Sequence, residues 1–223
     1  MSNENVKPIK SNRREDSRLE KIVNEFLDKY FFQNPKYNVT DVEWITDKKQ
    51  QLKGIDVIFS LKDKGLEKIK VDIKAAVKYT HRYLSTYALE CSSLNRNGKE
   101  KEGWLTDSKK ATEYYLLAYP RGPKYYTEIQ TIDDIDSIEF YLVERKKIQE
   151  FLAQNNFDNE KIAEIVKEMR EEYKEGNGLA KNPPVGDFFF YLTGTLSEKP
   201  INVVIKRHVY KELCVLHTTI TKN

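Results

Sequence analysis

The sequence predicts one α/β domain, and three observations carry that prediction. A length of 223 residues suits a single generous domain, and an apolar share of 39% supplies a sizeable core. The first patterned segment has apolar residues at helical spacing. The segments after it alternate apolar and polar residues with the period of two that strands require.

Residues 1–11 are polar, with nothing to bury, and are expected to be a disordered N-terminus. Asn12-x-x-Glu15 fits a capping box, and Leu19, Ile22, Val23, Phe26 and Tyr30 then mark one helical face up to about Phe32. Val39–Ile45 alternates as a strand, and Thr46–Gln51 is polar enough for a turn. Gly54–Leu61 is a strongly apolar strand, Asp63-Lys64-Gly65 a hairpin signal, and Lys68–Ala75 the alternating return strand. Ser85–Ser93 is expected to be a strand, Asn95–Gly103 a charged loop, and Asp107–Thr112 one helical segment. Tyr114–Tyr119 has a buried-strand pattern, broken by Pro120-Arg121-Gly122-Pro123.

Ile138–Val143 is a strand running into a helix over Glu144–Asn155. A second helix over Asp158–Lys174 follows, capped by Asp158. Gly176–Asp187 is loop-like, Phe188–Leu196 and Ile201–Arg207 form a hairpin, and the last fifteen residues fit helix or strand equally. The expected organisation is therefore a core over residues 12–143 and a C-terminal helical and β-hairpin elaboration over 144–223, packed on the same domain.

Charge and composition exclude several classes. The 38 Lys and Arg nearly cancel the 35 Asp and Glu, for a net +3, which is neither a polycation nor an acidic tail. No run approaches the roughly 18 apolar residues of a membrane span, and the first residues lack a secretory apolar region. Cys91 and Cys214 are too few for a disulfide framework and are expected as reduced, buried thiols in a cytoplasmic protein. Cys214-x-x-His217 lacks a second ligand pair for zinc, and His81, His208 and His217 have no Ser or Cys motif beside them. Neither a phosphate-binding Gly-x-x-x-x-Gly-Lys-Ser/Thr loop nor a dinucleotide glycine motif is present.

The hairpin around Lys64 carries the chemistry. Asp72 and Lys74 alternate with Val71, Ile73 and Ala75, so the two sets occupy opposite faces. With the turn centred on Lys64, residues whose numbers sum to 128 face each other, and Asp56 falls opposite Asp72. Directly opposed like charges destabilise a strand pair unless something positive lies between them. A divalent cation with oxygen ligands, Mg²⁺ or Mn²⁺, is the natural occupant, with Lys74 beside it to neutralise a phosphate or orient a water. The bland alternative is a polar outer sheet face. Ile58 on the Asp56 side and the small Ala75-Ala76 after Lys74 count against it.

Gly54-Ile55-Asp56, a hairpin, then Val71-Asp72-Ile73-Lys74 resembles the PD-(D/E)xK motif of the restriction-endonuclease-like nuclease superfamily. The resemblance covers about residues 15–145. It implies a central mixed β-sheet flanked by helices and a Mg²⁺-dependent deoxyribonuclease, with DNA as partner and a homodimer where both strands are cut. It further implies Asp56 and Asp72 as acidic ligands, Lys74 as catalytic lysine, the Ile73 carbonyl as backbone ligand, and a glutamate from the first helix. Glu20 and Glu25 compete for that last role. Glu20 lies about 90° from the buried stripe and Glu25 about 130°, at 3.6 residues per turn, which favours Glu20. Glu90 is a further candidate metal or water ligand. Gly-Ile-Asp replaces Pro-Asp, and a strand rather than a helix follows the motif strand.

Substrate contact is expected from Lys78, His81 and Arg82, in a run that mixes cations with Tyr79 and Tyr83, and from Arg96 and Lys99 in the charged loop. Lys109, Lys110 and the turn up to Lys124 carry weaker signals. The alternative function is a catalytically silent nucleic-acid-binding protein on a nuclease scaffold.

Overall fold

The computed structural model describes residues 13–173, 178–181, 183 and 186–222. The expected disorder of residues 1–11, the Asn12 cap and part of the 176–187 loop lie outside them.

Helix α1 (Arg13–Leu27) buries Leu19, Ile22, Val23 and Phe26 of the expected stripe, and Leu27 beside them, while Tyr30 beyond its end is partly buried. It continues as a π-helical turn, Asp28–Phe32, that sinks Phe31 and Phe32 into the same core. Strand β1 (Val39–Trp44) follows. The expected polar turn after it is a short helix, α2 (Lys48–Leu52), because the Asp47 side chain accepts from the Gln50 N–H and caps it.

Strands β2 (Val57–Leu61) and β3 (Leu66–Ala75) then form the hairpin. Its turn, Lys62–Lys64, closes on Gly65 at φ +64°, a left-handed conformation that glycine adopts without strain. The pairs Val57–Val71, Ile58–Lys70 and Phe59–Ile69 have the register expected from the sequence, and a bulge near the turn shifts Leu61 onto Leu66. The strand starts later than its apolar run suggests. Gly54 has φ +78° and Asp56 lies one residue ahead of β2, in an irregular segment.

After β3 the chain forms β4 (Thr86–Leu94) and β5 (Glu100–Glu102), so part of the expected 95–103 loop is strand. Residues 107–112 are irregular, with a turn at 108–109 and no helix. The buried Arg145 guanidinium binds the carbonyls of Leu105, Asp107 and Lys110, and that of Asp107 is one a helix there would need for itself. Strand β6 (Tyr114–Arg121) runs through Pro120 and ends only before Gly122. Then come β7 (Ser137–Glu144), α3 (Arg145–Gln154) and α4 (Asn159–Glu172), the last capped by Asp158 as expected. Strands β8 (Leu179–Lys181), β9 (Phe188–Leu192) and β10 (Ile201–Lys206) precede α5 (Arg207–Leu213) and β11 (Cys214–Thr221). Strand β9 stops at Leu192, four residues short of the apolar run, and pairs with β10 as the expected hairpin.

The protein is thus mixed α/β, with a central mixed sheet and helices on its flanks. That sheet has the order β1-β2-β3-β6-β7-β11, and a second has the order β5-β4-β10-β9-β8. Strands β3 and β6 run parallel, and the other described pairings are antiparallel. One core lies between α1 and the first face of the central sheet, which presents Val57, Phe59, Val71, Ile73 and Phe140. The other lies between the second face, with Tyr115, Leu117, Tyr119 and Val143, and the second sheet with α3, α4 and α5. The segment after residue 144 is woven into both sheets, β10 pairing with β4 and β11 with β7. Cys91 is buried as expected, whereas Cys214, at the start of β11, is only partly covered.

Candidate active site

Strand alternation puts Val71 and Ile73 in the α1 core and turns Asp72 and Lys74 to the opposite face, toward the second sheet. The β2–β3 register, continued one step beyond Val57–Val71, brings Asp56 to Asp72. An Asp56 carboxylate oxygen accepts from the Ile73 N–H at 2.8 Å, and the Asp56 N–H donates to the Val71 carbonyl at 2.9 Å. Asp56 is therefore fixed at both ends by β3. Lys74 Nζ lies 2.8 Å from an Asp72 oxygen and 5.0 Å from the centre of the Trp104 ring.

Electrostatics follow from burial. Asp72 is 2% exposed, and burial, with the adjacent Asp56 charge, pushes its carboxyl up to about 7 against the pull of Lys74. Burial disfavours the Lys74 charge too, but Asp72, Asp56 and Glu20 outweigh it and hold its pKa above the usual lysine value. Glu20 is exposed as a residue, yet partial burial of its carboxylate raises its pKa, opposed by Lys74 and reinforced by Asp56 and Asp16. Of the two competing glutamates, Glu20 thus stands in the field of this group. Glu25 pairs with Lys21 at 3.7 Å on the open side of α1.

Asp56, Asp72 and Lys74 line a cleft of about 480 Å³ with Gln51, Gly54, Glu90, Lys101, Glu102, Trp104, Asp107, Lys109 and Lys110. Gly54 lets the chain pass close to Thr112 beside the aspartates, at φ +78°. A Cβ there would sit 2.4 Å from Thr112 Oγ1 and 3.5 Å from an Asp72 oxygen. Glu90, the further candidate ligand, lines the cleft and accepts from the Ser93 hydroxyl at 3.2 Å. Lys109 and Lys110, weak in the sequence, stand in its wall, with Lys101 and Trp104. Trp104 carries no sequence signal for this role, because the β4–β5 excursion brings it there from outside the hairpin.

The expected substrate residues divide into two groups. Lys78 pairs with Asp16 of α1 at 2.8 Å, so it adjoins the Glu20 side of the centre. His81 and Arg82 are exposed just beyond it, hydrogen-bonded to each other at 2.9 Å. Arg96 and the Lys99 backbone belong to the β4–β5 turn, where Arg96 lines a separate hollow with Lys199 and Ser197, outside the acidic cleft.

The donors at hand are hard carboxylate oxygens, which suit Mg²⁺ or Mn²⁺ rather than a thiolate-seeking metal. Two mutually repelling carboxylates with a lysine on one side fit a cation on the other. The residues that would hold it are Asp56 and Asp72, within reach of the Ile73 backbone. Among the described residues no group of three or more His, Cys, Asp or Glu side chains is placed to hold a metal ion, so Glu20 and Glu90 stand apart from the pair. No described helix is long and apolar enough to cross a membrane. No family model, curated protein or solved structure matches the chain.

Proposed function

We propose that this chain is a Mg²⁺- or Mn²⁺-dependent deoxyribonuclease with a restriction-endonuclease-like core. Its reaction would be phosphodiester hydrolysis, as an endonuclease of restriction or DNA-processing type. One observation carries the reading: Asp56, Asp72 and Lys74 meet on one face of a hairpin and line an open cleft. The order of α1, the antiparallel β1–β2–β3 meander, and β6 parallel to β3 supports it. The crossover between β3 and β6 departs from the family by carrying β4 and β5 rather than a helix.

When bound, the cation would supply Lewis acidity and lower the pKa of a water. The chain's own residues do the positioning. Asp56 is immobilised by the Ile73 N–H, so its free oxygen keeps one direction. Lys74, held by Asp72 and packed near Trp104, brings a fixed positive charge to the phosphate without reorganising during reaction. Lys101, Lys109 and Lys110 offer the cleft wall to neighbouring phosphates. Cutting both strands at one site would take two copies of the chain.

The second reading is a catalytically silent nucleic-acid-binding protein, favoured by Lys74 already pairing with Asp72 at 2.8 Å. Incubation of plasmid and short duplex DNA with Mg²⁺, Mn²⁺ or EDTA separates them, using wild type, Asp72→Ala and Lys74→Ala. Metal-dependent cutting lost in both variants supports the nuclease. Cutting in EDTA, or full activity in both variants, overturns the centre, and retained DNA affinity without cutting selects the second reading.

A further inference from the structure

The chain leaving Lys74 forms a surface rich in exposed rings and cations. The turn Val77–Tyr79 packs beside the turn Tyr126–Glu128, and the two segments are stitched together. Thr80 Oγ1 donates to the Pro123 carbonyl at 2.8 Å, the Gly122 N–H to the Thr80 carbonyl at 3.4 Å, and Arg121 Nη1 to the Arg82 carbonyl. Three tyrosines stand out from this joined surface: Tyr79 is 48% exposed, Tyr83 70% and Tyr125 56%. An isolated exposed ring is ordinary, but three on two adjoining segments are a patch.

Cations interleave with the rings. Arg121 lies 5.7 Å from the Tyr83 ring and Lys124 Nζ 5.2 Å from the Tyr125 ring, while Arg82 and His81 are exposed between. The Glu128 carboxylate accepts from the Tyr125 N–H at 3.3 Å. Tyr83 is also held from beneath. The buried Arg207 guanidinium lies 4.5 Å from its ring, 4.1 Å from Tyr119 and 5.5 Å from Tyr141, and pairs with Glu139. An aromatic ring fixed by buried packing yet open to solvent loses little freedom when a second planar group stacks on it.

We propose that Tyr79, Tyr83 and Tyr125, with Arg82, Arg121 and Lys124, form a platform for unpaired nucleotides: a single-stranded DNA segment running into the Asp56–Asp72 cleft. The occupant follows from the chemistry. A paired duplex hides its base faces and needs only cations, whereas splayed bases need rings to stack on and cations for the backbone between them. Position agrees, since Lys78 joins the platform to α1 through Asp16, one helical turn from Glu20. The proposal rests on the nuclease reading for its substrate and adds to it that the strand is unpaired where it enters.

Binding of a fluorescein-labelled 15-nucleotide oligo-dT and of a blunt 15-base-pair duplex, measured by anisotropy in EDTA, tests it without turnover. Tyr83→Leu and Tyr125→Leu are expected to weaken single-strand binding about five- to tenfold each and leave duplex binding unchanged. Tyr83→Phe and Tyr125→Phe, which keep the ring and its packing, are expected to bind as wild type. Equal losses on both probes, or no loss on the single strand, overturn the platform. If the wild type cuts nothing but these binding results hold, the nuclease reading alone fails. If it cuts with metal and the leucine variants bind the single strand normally, the platform alone fails.

Discussion

The Asp56 carboxylate accepts a hydrogen bond from the backbone N–H of Ile73 at 2.8 Å, taking the place of a ladder bond between β2 and β3. One oxygen of Asp56 therefore serves the fold and leaves the other for a ligand. Asparagine can accept the same bond without the charge. Asp56→Asn is expected to raise the thermal midpoint of the protein in EDTA, because it removes the repulsion on buried Asp72, and to abolish cleavage. Asp56→Ala leaves the Ile73 N–H without its partner and is expected to cost about 1 kcal/mol or more relative to the Asn variant. Thermal unfolding of the three proteins in EDTA checks the order; an Asn variant less stable than Ala would refute the assignment.

The pH dependence of stability has a definite sign. The Asp72 carboxyl is raised from 3.8 to about 7 in the folded protein, chiefly by burial. Between those values the folded state holds a proton that the unfolded chain has released, so stability falls as pH rises through the window. In EDTA, unfolding free energy from urea titrations is expected to decrease from pH 4.5 to pH 7.5, and Asp72→Asn to remove that component. A cation needs Asp72 ionised. Mg²⁺ or Mn²⁺ is therefore expected to raise the thermal midpoint more at pH 8 than at pH 5.5, the stabilisation at pH 8 being about 2.7 kcal/mol when the cation is at a hundredfold excess over its dissociation constant. A cation effect equal at both pH values would show that Asp72 is not its ligand.

Lys74 has two neighbours with different readouts. Lys74→Met keeps the length of the side chain near Trp104 but leaves buried Asp72 without its 2.8 Å partner. In EDTA the variant is expected to lose about 2–4 kcal/mol, the cost of stranding one member of a largely buried pair. In a Trp44→Phe background Trp104 is the sole tryptophan, and its emission should shift when the ammonium 5.0 Å away is removed. Unchanged emission would place Lys74 elsewhere in solution.

The hairpin was legible in the sequence because strand chemistry is local. Alternation assigned Val71 and Ile73 to one core and Asp72 and Lys74 to the other face, and the Gly65 turn set the register that brings Asp56 beside Asp72. The second sheet was not legible. Strand β4 has the same alternation whether it joins the central sheet or leaves it, and its partner β10 lies more than a hundred residues away. With that sheet came Trp104 and Lys101, whose role depends wholly on where β4 and β5 go. The 107–112 segment failed for a related reason. Arg145, from a distant helix, takes the Asp107 carbonyl that a helix there would have used.

Arg145 makes the last prediction. It is 8% exposed and donates to the carbonyls of Leu105 (3.0 Å), Asp107 (2.7 Å) and Lys110 (3.3 Å), tying the cleft wall to the start of α3. Gln149, one turn along the same helix, adds a bond to the Leu105 carbonyl at 2.9 Å. A lysine cannot span three carbonyls, because its donors radiate from one point rather than a planar fork. Arg145→Lys is expected to lose about 1.5–3 kcal/mol as hydrogen bonds from a charged donor are given up. Gln149→Ala removes a single neutral bond and should lose about 1 kcal/mol. The loosened wall carries Lys109 and Lys110, so protease nicking within 105–112 and weaker salt-dependent nucleic-acid binding should accompany the Arg145 change, while the Asp56–Asp72 hairpin retains its cation-dependent stabilisation. Loss of that stabilisation as well would mean that Arg145 supports the whole centre, not the wall alone.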